Sequence, residues 1–303
     1  MNSTAPAGTA EIRIAPLTFG AAADAYLRRV EQNLESAATY AGVVGRFRRD
    51  WGAVALADIT PGMVEAWQYA RLAERTRVGG RPVSKSGVNR ELAVLRAMLS
   101  WAQRNDLVVA NPVARVPMFK VRNRRRVVLT EQQTAGLMAA CTGRRQHLRA
   151  IVMMAVCTGM RRGEILGVRW HDLDLDRRVL TVVRAKSGEP RRIPIMPSLA
   201  DDLRRRRGGA PGDALVFRHR DGRPYRSVAS SWAAACREAG VPGVHLHDLR
   251  HTFASHWLEK GGDLAGLQDV LGHATPAMTL WYSHAFGGSK QATMDRIDAG
   301  RAV

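Results

Sequence analysis

Between Arg178 and Ile195 the chain reads RVLTVVRAKSGEPRRIPI, in which β-branched residues alternate with others up to a turn at Lys186, Ser187 and Gly188. Period-two alternation closed by a glycine-containing turn predicts an antiparallel hairpin. On both sides of that stretch apolar residues instead return every three or four positions, the spacing of helices that bury one face. A chain of this kind is expected to be mainly α, an α+β fold in which helices enclose one small antiparallel β-sheet.

The helical pattern begins near Leu17, after residues 1–15, which are small and polar enough to predict a disordered tail. It runs through FGAAADAYLRRVEQNLE and SAATYAGVVGRFRRDWG into ITPGMVEAWQYARLAE, where Thr60 is placed as an N-cap and Pro61 as the first helical residue. In SKSGVNRELAVLRAMLSWAQRNDLV a longer helix carries Leu92, Leu95, Leu99 and Ala102 along one stripe. Asn111 and Pro112 close this helical domain, residues 16–113. Residues 114–129 read as a basic linker whose Arg122, Arg124, Arg125 and Arg126 suit a chain that wraps round a duplex. A second domain is expected over 130–303. It opens on a capping-box-like Thr130, continues with a buried helix in HLRAIVMMAVCT that breaks at Thr158 and Gly159, and turns helical again from Ser227.

Charge narrows the partners. Forty-six basic residues against 27 acidic give +19, which points to a polyanion, although a solvated basic surface also fits. Only five of the 46 are lysine, a bias that fits a GC-rich coding sequence as well. Residues 1–120 carry 16 basic and 10 acidic groups and residues 121–303 carry 30 and 17, so the second part is the more basic. Met1 to Ala15 has neither a charged start nor an apolar core, so no signal peptide is expected. No apolar run is long enough for a bilayer span. Cys141, Cys157 and Cys236 are widely spaced, form no CxxC pair and read as small buried residues in a reducing cytoplasm.

The second part also holds VHLHDLRHTFASHW, with four of the nine histidines. His247 and His251 are four apart, which would place two imidazoles on one helix face for zinc. A zinc-protease helix needs a glutamate beside its first histidine, and Asp248 and Leu249 stand there instead; His256 is out of phase. His247 and Arg250, three apart, also share a face, and an imidazole beside a guanidinium suits a phosphate. Metal-free phosphoryl chemistry would further need a nucleophile and more positive charge. Tyr282, on a helix capped by Thr275 and Pro276, offers the first. Arg161 after the Thr158 and Gly159 break, and Lys186 at the hairpin tip, offer the second, while His273 sits on a short loop. Taken singly, each also reads as an ordinary residue: a surface arginine, an exposed turn lysine, a packed tyrosine.

Taken in chain order, TGMRRGEI, AKSGEPRRIP, HDLRHTFAS and LGHATPAMTLWYSHA resemble the tyrosine recombinase family of phage integrases and Xer-type enzymes, over about residues 17–285. The resemblance implies a SAM-like helical core-binding domain over 16–113 and a catalytic domain over 130–303 ending in a short docking tail. It implies that Tyr282 attacks a scissile DNA phosphate to give a 3′-phosphotyrosyl bond. Arg161 and Arg250 would clamp the non-bridging oxygens, Lys186 protonate the leaving 5′-oxygen, His247 serve as acid/base partner and His273 donate a hydrogen bond to the phosphate. Glu164 would buttress the arginines, and His251 and His256 would serve packing and helix support. Neither a cofactor nor a metal ion is implied. The implied partners are double-stranded DNA at specific sites, a homotetramer on DNA formed from monomers, and accessory directionality or DNA-bending proteins. The implied place is the bacterial cytoplasm near the nucleoid. A type IB-like nicking–closing topoisomerase and a catalytically silent DNA-binding regulator are the alternative readings.

Overall fold

The computed structural model describes residues 16–33, 37–76, 79–121, 127–183, 190–283, 294–295 and 297–299. The tail expected over 1–15, the linker arginines 122, 124, 125 and 126, and Lys186 with its hairpin turn lie outside the described residues. Contacts gather the chain into two compact units, Met1–Asn123 and Arg124–Val303.

The first unit is built from α1 (Phe19–Asn33), α2 (Ala37–Trp51), α3 (Pro61–Ala73) and α4 (Lys85–Arg104). The Thr60 hydroxyl accepts from Met63 N at 3.2 Å with Pro61 opening α3, and the Ser84 hydroxyl accepts from Gly87 N at 3.1 Å to start α4. Each cap satisfies an amide that the first helical turn leaves without a partner. Leu92, Leu95, Leu99 and Ala102 form a fully buried stripe on α4, packed with Phe19 of α1 and Phe47 of α2. Buried Glu91 ties three helices together. It takes Arg71 Nε at 2.8 Å and Arg46 Nη2 at 2.9 Å.

Residues 114–121, the first part of the expected basic linker, are held against this unit. Gln68 Nε2 donates to Pro117 O at 3.1 Å, Asn89 Nδ2 donates to Phe119 O at 2.9 Å, and Phe119 N returns a bond to Asn89 Oδ1 at 3.0 Å. Pro112 and Pro117 remove two donors and disfavour a regular ladder, so amide side chains satisfy the backbone instead.

The second unit begins with α5 (Glu131–Ala139), where Thr130 and Gln133 close a capping box. Next come α6 (Gln146–Thr158) and α7 (Arg162–Gly167). A three-stranded antiparallel sheet follows, β1 (Leu173–Asp174), β2 (Val179–Val182) and β3 (Arg191–Pro194), in the order β1-β2-β3. The hairpin register pairs Val179 with Pro194 and Val182 with Arg191. The chain continues through α8 (Pro197–Arg207), α9 (Ala229–Glu238), α10 (Asp248–Glu259), α11 (Leu264–Leu271) and α12 (Pro276–Ser283). Arginines 204–207 lie exposed at the end of α8, as a solvated helix end should. Among the described residues no helix is long and apolar enough to cross a membrane.

The core of this unit is centred on α6, whose Leu148, Ile151, Val152 and Met154 are fully buried, and on α10, which packs along it through Leu249, Phe253 and Ala254. α6 ends at Gly159 in the left-handed region, φ 63°. A Cβ there would stand 2.4 Å from Phe253 Cδ1 and 2.7 Å from Leu271 Cδ2. Glycine is thus required twice over, by conformation and by space. Gly159→Ala is expected to cost about 2–5 kcal/mol, combining the left-handed penalty with overpacking. Denaturant unfolding checks this, and a variant as stable as the parent contradicts the packing of α6, α10 and α11 described above.

Candidate active site

The last carbonyls of a helix have no partner within it and carry partial negative charge, so they draw cations. At the end of α11 three consecutive carbonyls each take a different arginine. Arg191 Nε donates to Val270 O at 2.9 Å, Arg250 Nη2 to Leu271 O at 2.8 Å, and Arg161 Nη2 to Gly272 O at a longer 3.5 Å. Arg250 Nη1 also reaches Gly159 O at the end of α6, at 2.9 Å. The guanidiniums therefore converge because two helix ends hold them. Gly272 makes room: its φ is 62°, and a Cβ would fall 2.9 Å from Arg191 Cδ.

Like charges gathered this closely need a counter-charge. Glu164 sits nearly buried between two of the three, 2.9 Å from Arg161 Nη1 and 2.8 Å from Arg191 Nη2, and also accepts from Arg161 N at 2.9 Å. Burial pushes its carboxyl up, but the hydrogen bonds from Arg191 and Arg161 outweigh this and hold it below the usual carboxylate range. One carboxylate between these guanidiniums leaves the cluster net positive. Arg250, 3% exposed, has its pKa lowered to about 10, first by burial and then by Arg161; it stays charged at neutral pH.

Among the described residues three histidines surround this charge. His273, on the loop after Gly272, is fixed by a 2.8 Å contact from Nδ1 to Thr279 Oγ1. Burial, then Arg250, Arg161 and Arg191, push its pKa down to about 4, so the ring is neutral at pH 7. His247, at the start of α10, stays exposed at the rim, and desolvation by its surroundings followed by Arg250 lowers its pKa. His251, one turn on, meets the His247 ring edge to face at 5.3 Å. Its Nδ1 lies 2.8 Å from Tyr282 Oη. Tyr282 is buried on α12, 5% exposed, with its ring parallel to that of His273 at 6.3 Å between centroids.

The structure thus brings together Arg161, Glu164, His247, Arg250, His273 and Tyr282. Lys186 is outside the described residues. Two neighbours were not expected here. In sequence Arg191 is simply part of the hairpin, yet it is 6% exposed and braces Glu164. A signal existed: Arg191 and Ile193 are two apart on β3, so they share the inward face. His251, expected to serve packing and helix support, packs against His247 and Trp281 and in addition contacts the tyrosine hydroxyl. Among the described residues no group of three or more His, Cys, Asp or Glu side chains stands ready for a metal ion.

Acid should loosen this site. Unfolded, His273 protonates near 6.5; folded, only near 4, so the neutral ring contributes stability above pH 6.5 that is lost as pH falls through about 4. The melting temperature is expected to fall across that window and to fall less steeply in His273→Gln, which does not titrate. Equal slopes would contradict the burial of a neutral imidazole.

A model of the phage integrase family matches residues 127–287, a span that contains every member of this cluster. The chain belongs to the phage integrase family. It is a site-specific recombinase of the tyrosine type. The tyrosine recombinase XerC of Xanthomonas axonopodis pv. citri is 33% identical over 211 residues, 67% of this chain and 69% of that protein. XerC of a Mycobacterium species (strain KMS) is 31% identical over 260 residues, 80% and 83% of the two chains. Among solved structures, the Tn1549 transposon integrase in complex with a circular intermediate DNA aligns with a TM-score of 0.75 at 20% identity, covering 93% of this chain and 99% of that one. A lambda integrase tetramer bound to a Holliday junction aligns at 0.68 and 20%, covering 86% and 78%. At such identity the likeness to these integrases is one of fold.

Proposed function

We propose that the chain cuts and rejoins double-stranded DNA at specific sites through Tyr282. The observation that carries this reading is the tyrosine hydroxyl set beside a net-positive cluster whose guanidiniums are anchored on backbone carbonyls. Tyr282 Oη attacks the scissile phosphorus, forming a 3′-phosphotyrosyl bond and releasing a 5′-hydroxyl. Arg161 and Arg250 hold the non-bridging oxygens and stabilise charge developing in the transition state. Lys186 protonates the leaving oxygen, His247 at the exposed rim is the acid/base partner, and His273 donates a hydrogen bond to the phosphate. Glu164 keeps the arginines in place. Because transesterification conserves the phosphodiester bond energy, the reaction needs neither a cofactor nor a metal ion.

In the same reading residues 16–113 form the core-binding domain, and residues 114–121 are strapped to it. Arg122, Arg124, Arg125 and Arg126 neutralise DNA phosphates in the linker, and 130–303 form the catalytic domain. Four strands require four active sites, hence a homotetramer on two DNA sites assembled from monomers, with the tail after Tyr282 docking on a neighbour. Accessory directionality or DNA-bending proteins, and a cytoplasmic place near the nucleoid, complete the proposal.

Two duplexes carrying the cognate site, one of them a supercoiled plasmid, are incubated with the protein and EDTA to test it. Strand exchange between the two duplexes is expected. Relaxation of supercoils without exchange would favour a nicking–closing topoisomerase, and site binding without cleavage a silent regulator.

A further inference from the structure

A tyrosine hydroxyl has a pKa of about 10, so at neutral pH a nucleophilic Tyr282 must give up its proton to a base within hydrogen-bond reach. Among the described residues three histidine rings lie near it, and the structure treats them differently. His273 stacks parallel to the tyrosine ring, with Nδ1 committed to Thr279 Oγ1 at 2.8 Å. His247 meets the His251 ring at 5.3 Å. His251 Nδ1 is at 2.8 Å from Tyr282 Oη, and its ring is confined by His247 on one side and Trp281, at 5.3 Å, on another.

We infer that His251, the histidine immediately after Arg250, is the proton acceptor for Tyr282. This rests on Tyr282 being the nucleophile. With the ring hydrogen on Nε2, Nδ1 accepts the hydrogen bond from Oη. As the Oη–P bond forms, the Oη proton passes to Nδ1 and the P–O5′ bond breaks. The leaving oxygen takes its own proton from Lys186. In the rejoining step the 5′-hydroxyl gives its proton back to Lys186 as it attacks phosphorus, the P–Oη bond breaks, and the imidazolium returns its proton to Oη. Arg250 and His251 are adjacent on the first turns of α10, so one helix carries both the phosphate clamp and the base, and a single movement of α10 would set both against Tyr282. His247 is then left to act on the phosphate or the leaving group from the rim.

The test uses the full-length protein on a nicked suicide duplex that traps the covalent complex in a single turnover. Four variants are compared with the parent. Tyr282→Phe forms no adduct if the nucleophile is assigned correctly; an adduct from it overturns that assignment and not merely the base. His251→Asn places an amide oxygen close to the position of Nδ1, which keeps an acceptor but removes the base. It is expected to bind the duplex like the parent and to form the adduct on the order of 10²–10³-fold more slowly. The third variant carries 3,5-difluorotyrosine at position 282 in the His251→Asn background. Its more acidic hydroxyl needs less help, and at least a tenfold recovery is expected. A 5′-bridging phosphorothiolate substrate, whose leaving group needs no acid, should leave the His251→Asn defect in place. The inference is overturned if His251→Asn cleaves at the parental rate, if difluorotyrosine gives no recovery, or if the phosphorothiolate gives full recovery. The fourth variant, the same difluorotyrosine placed in the parent, is the control for that recovery. There the rate should change by far less than in His251→Asn, and an equal gain in both backgrounds counts against His251.

Discussion

Tyr282→Phe leaves a folded protein that binds its DNA site and forms no covalent complex with it. The ring is buried on α12 against His273 and Trp281, and phenylalanine keeps those contacts. What is lost is the hydroxyl. Its 2.8 Å contact with His251 Nδ1 is one hydrogen bond, worth about 0.5–1.5 kcal/mol, so the unfolding midpoint should move little. The rate, by contrast, should fall by roughly 10⁴–10⁶, the scale seen when a covalent nucleophile is removed. Gel-shift affinity and single-turnover cleavage on the same preparation separate the two effects. Cleavage by the variant within about tenfold of the parent would mean that another group attacks the phosphate.

Arg250→Ala is the second large effect, and it differs because structure and chemistry fail together. The guanidinium satisfies Gly159 O and Leu271 O at the ends of α6 and α11, and both carbonyls lose that partner in the variant. Each buried polar group left unpaired costs about 1–3 kcal/mol, so a loss of several kcal/mol is expected in denaturant unfolding. Losing a transition-state donor costs on the order of 10²–10³ in rate even where the fold survives. Arg250→Lys should restore little of either, because an ammonium is a point charge that cannot hold two carbonyls and a phosphate at once. Full activity in Arg250→Lys would show that charge alone matters and that the fork geometry does not.

What could be read from the sequence follows a physical line. Helix starts were legible because caps are local: Thr60 with Pro61, and Thr130 with Gln133, carry their meaning within four residues. The α4 stripe and the hairpin were legible because period is local too. β1 was not, since two residues display no period. The strap over 114–121 was missed because its anchors, Gln68 and Asn89, lie 49 and 30 residues away from the carbonyls they hold.

The site divides the same way. Its residue types and order were legible as a resemblance, and the structure brings the described ones together. Arg191 escaped because a charge at an inward strand position makes sense only with Glu164 and Val270 O in place, 27 and 79 residues off. His251 escaped for a related reason. Its partner hydroxyl is 31 residues further along, and its four-residue spacing to His247 is equally that of two zinc ligands on a helix face. In the fold that spacing does put both rings on one face, and the face meets Tyr282.

The most direct measurement of the central claim is the identity of the protein atom joined to DNA. The parent protein, trapped on the suicide duplex in EDTA, is digested and the nucleotide-bearing peptide sequenced by mass spectrometry. The account predicts a 3′-phosphonucleotide on Tyr282 and on no other residue. A nucleotide on a serine, a histidine or another tyrosine would contradict it, as would no adduct from a duplex that the protein demonstrably binds.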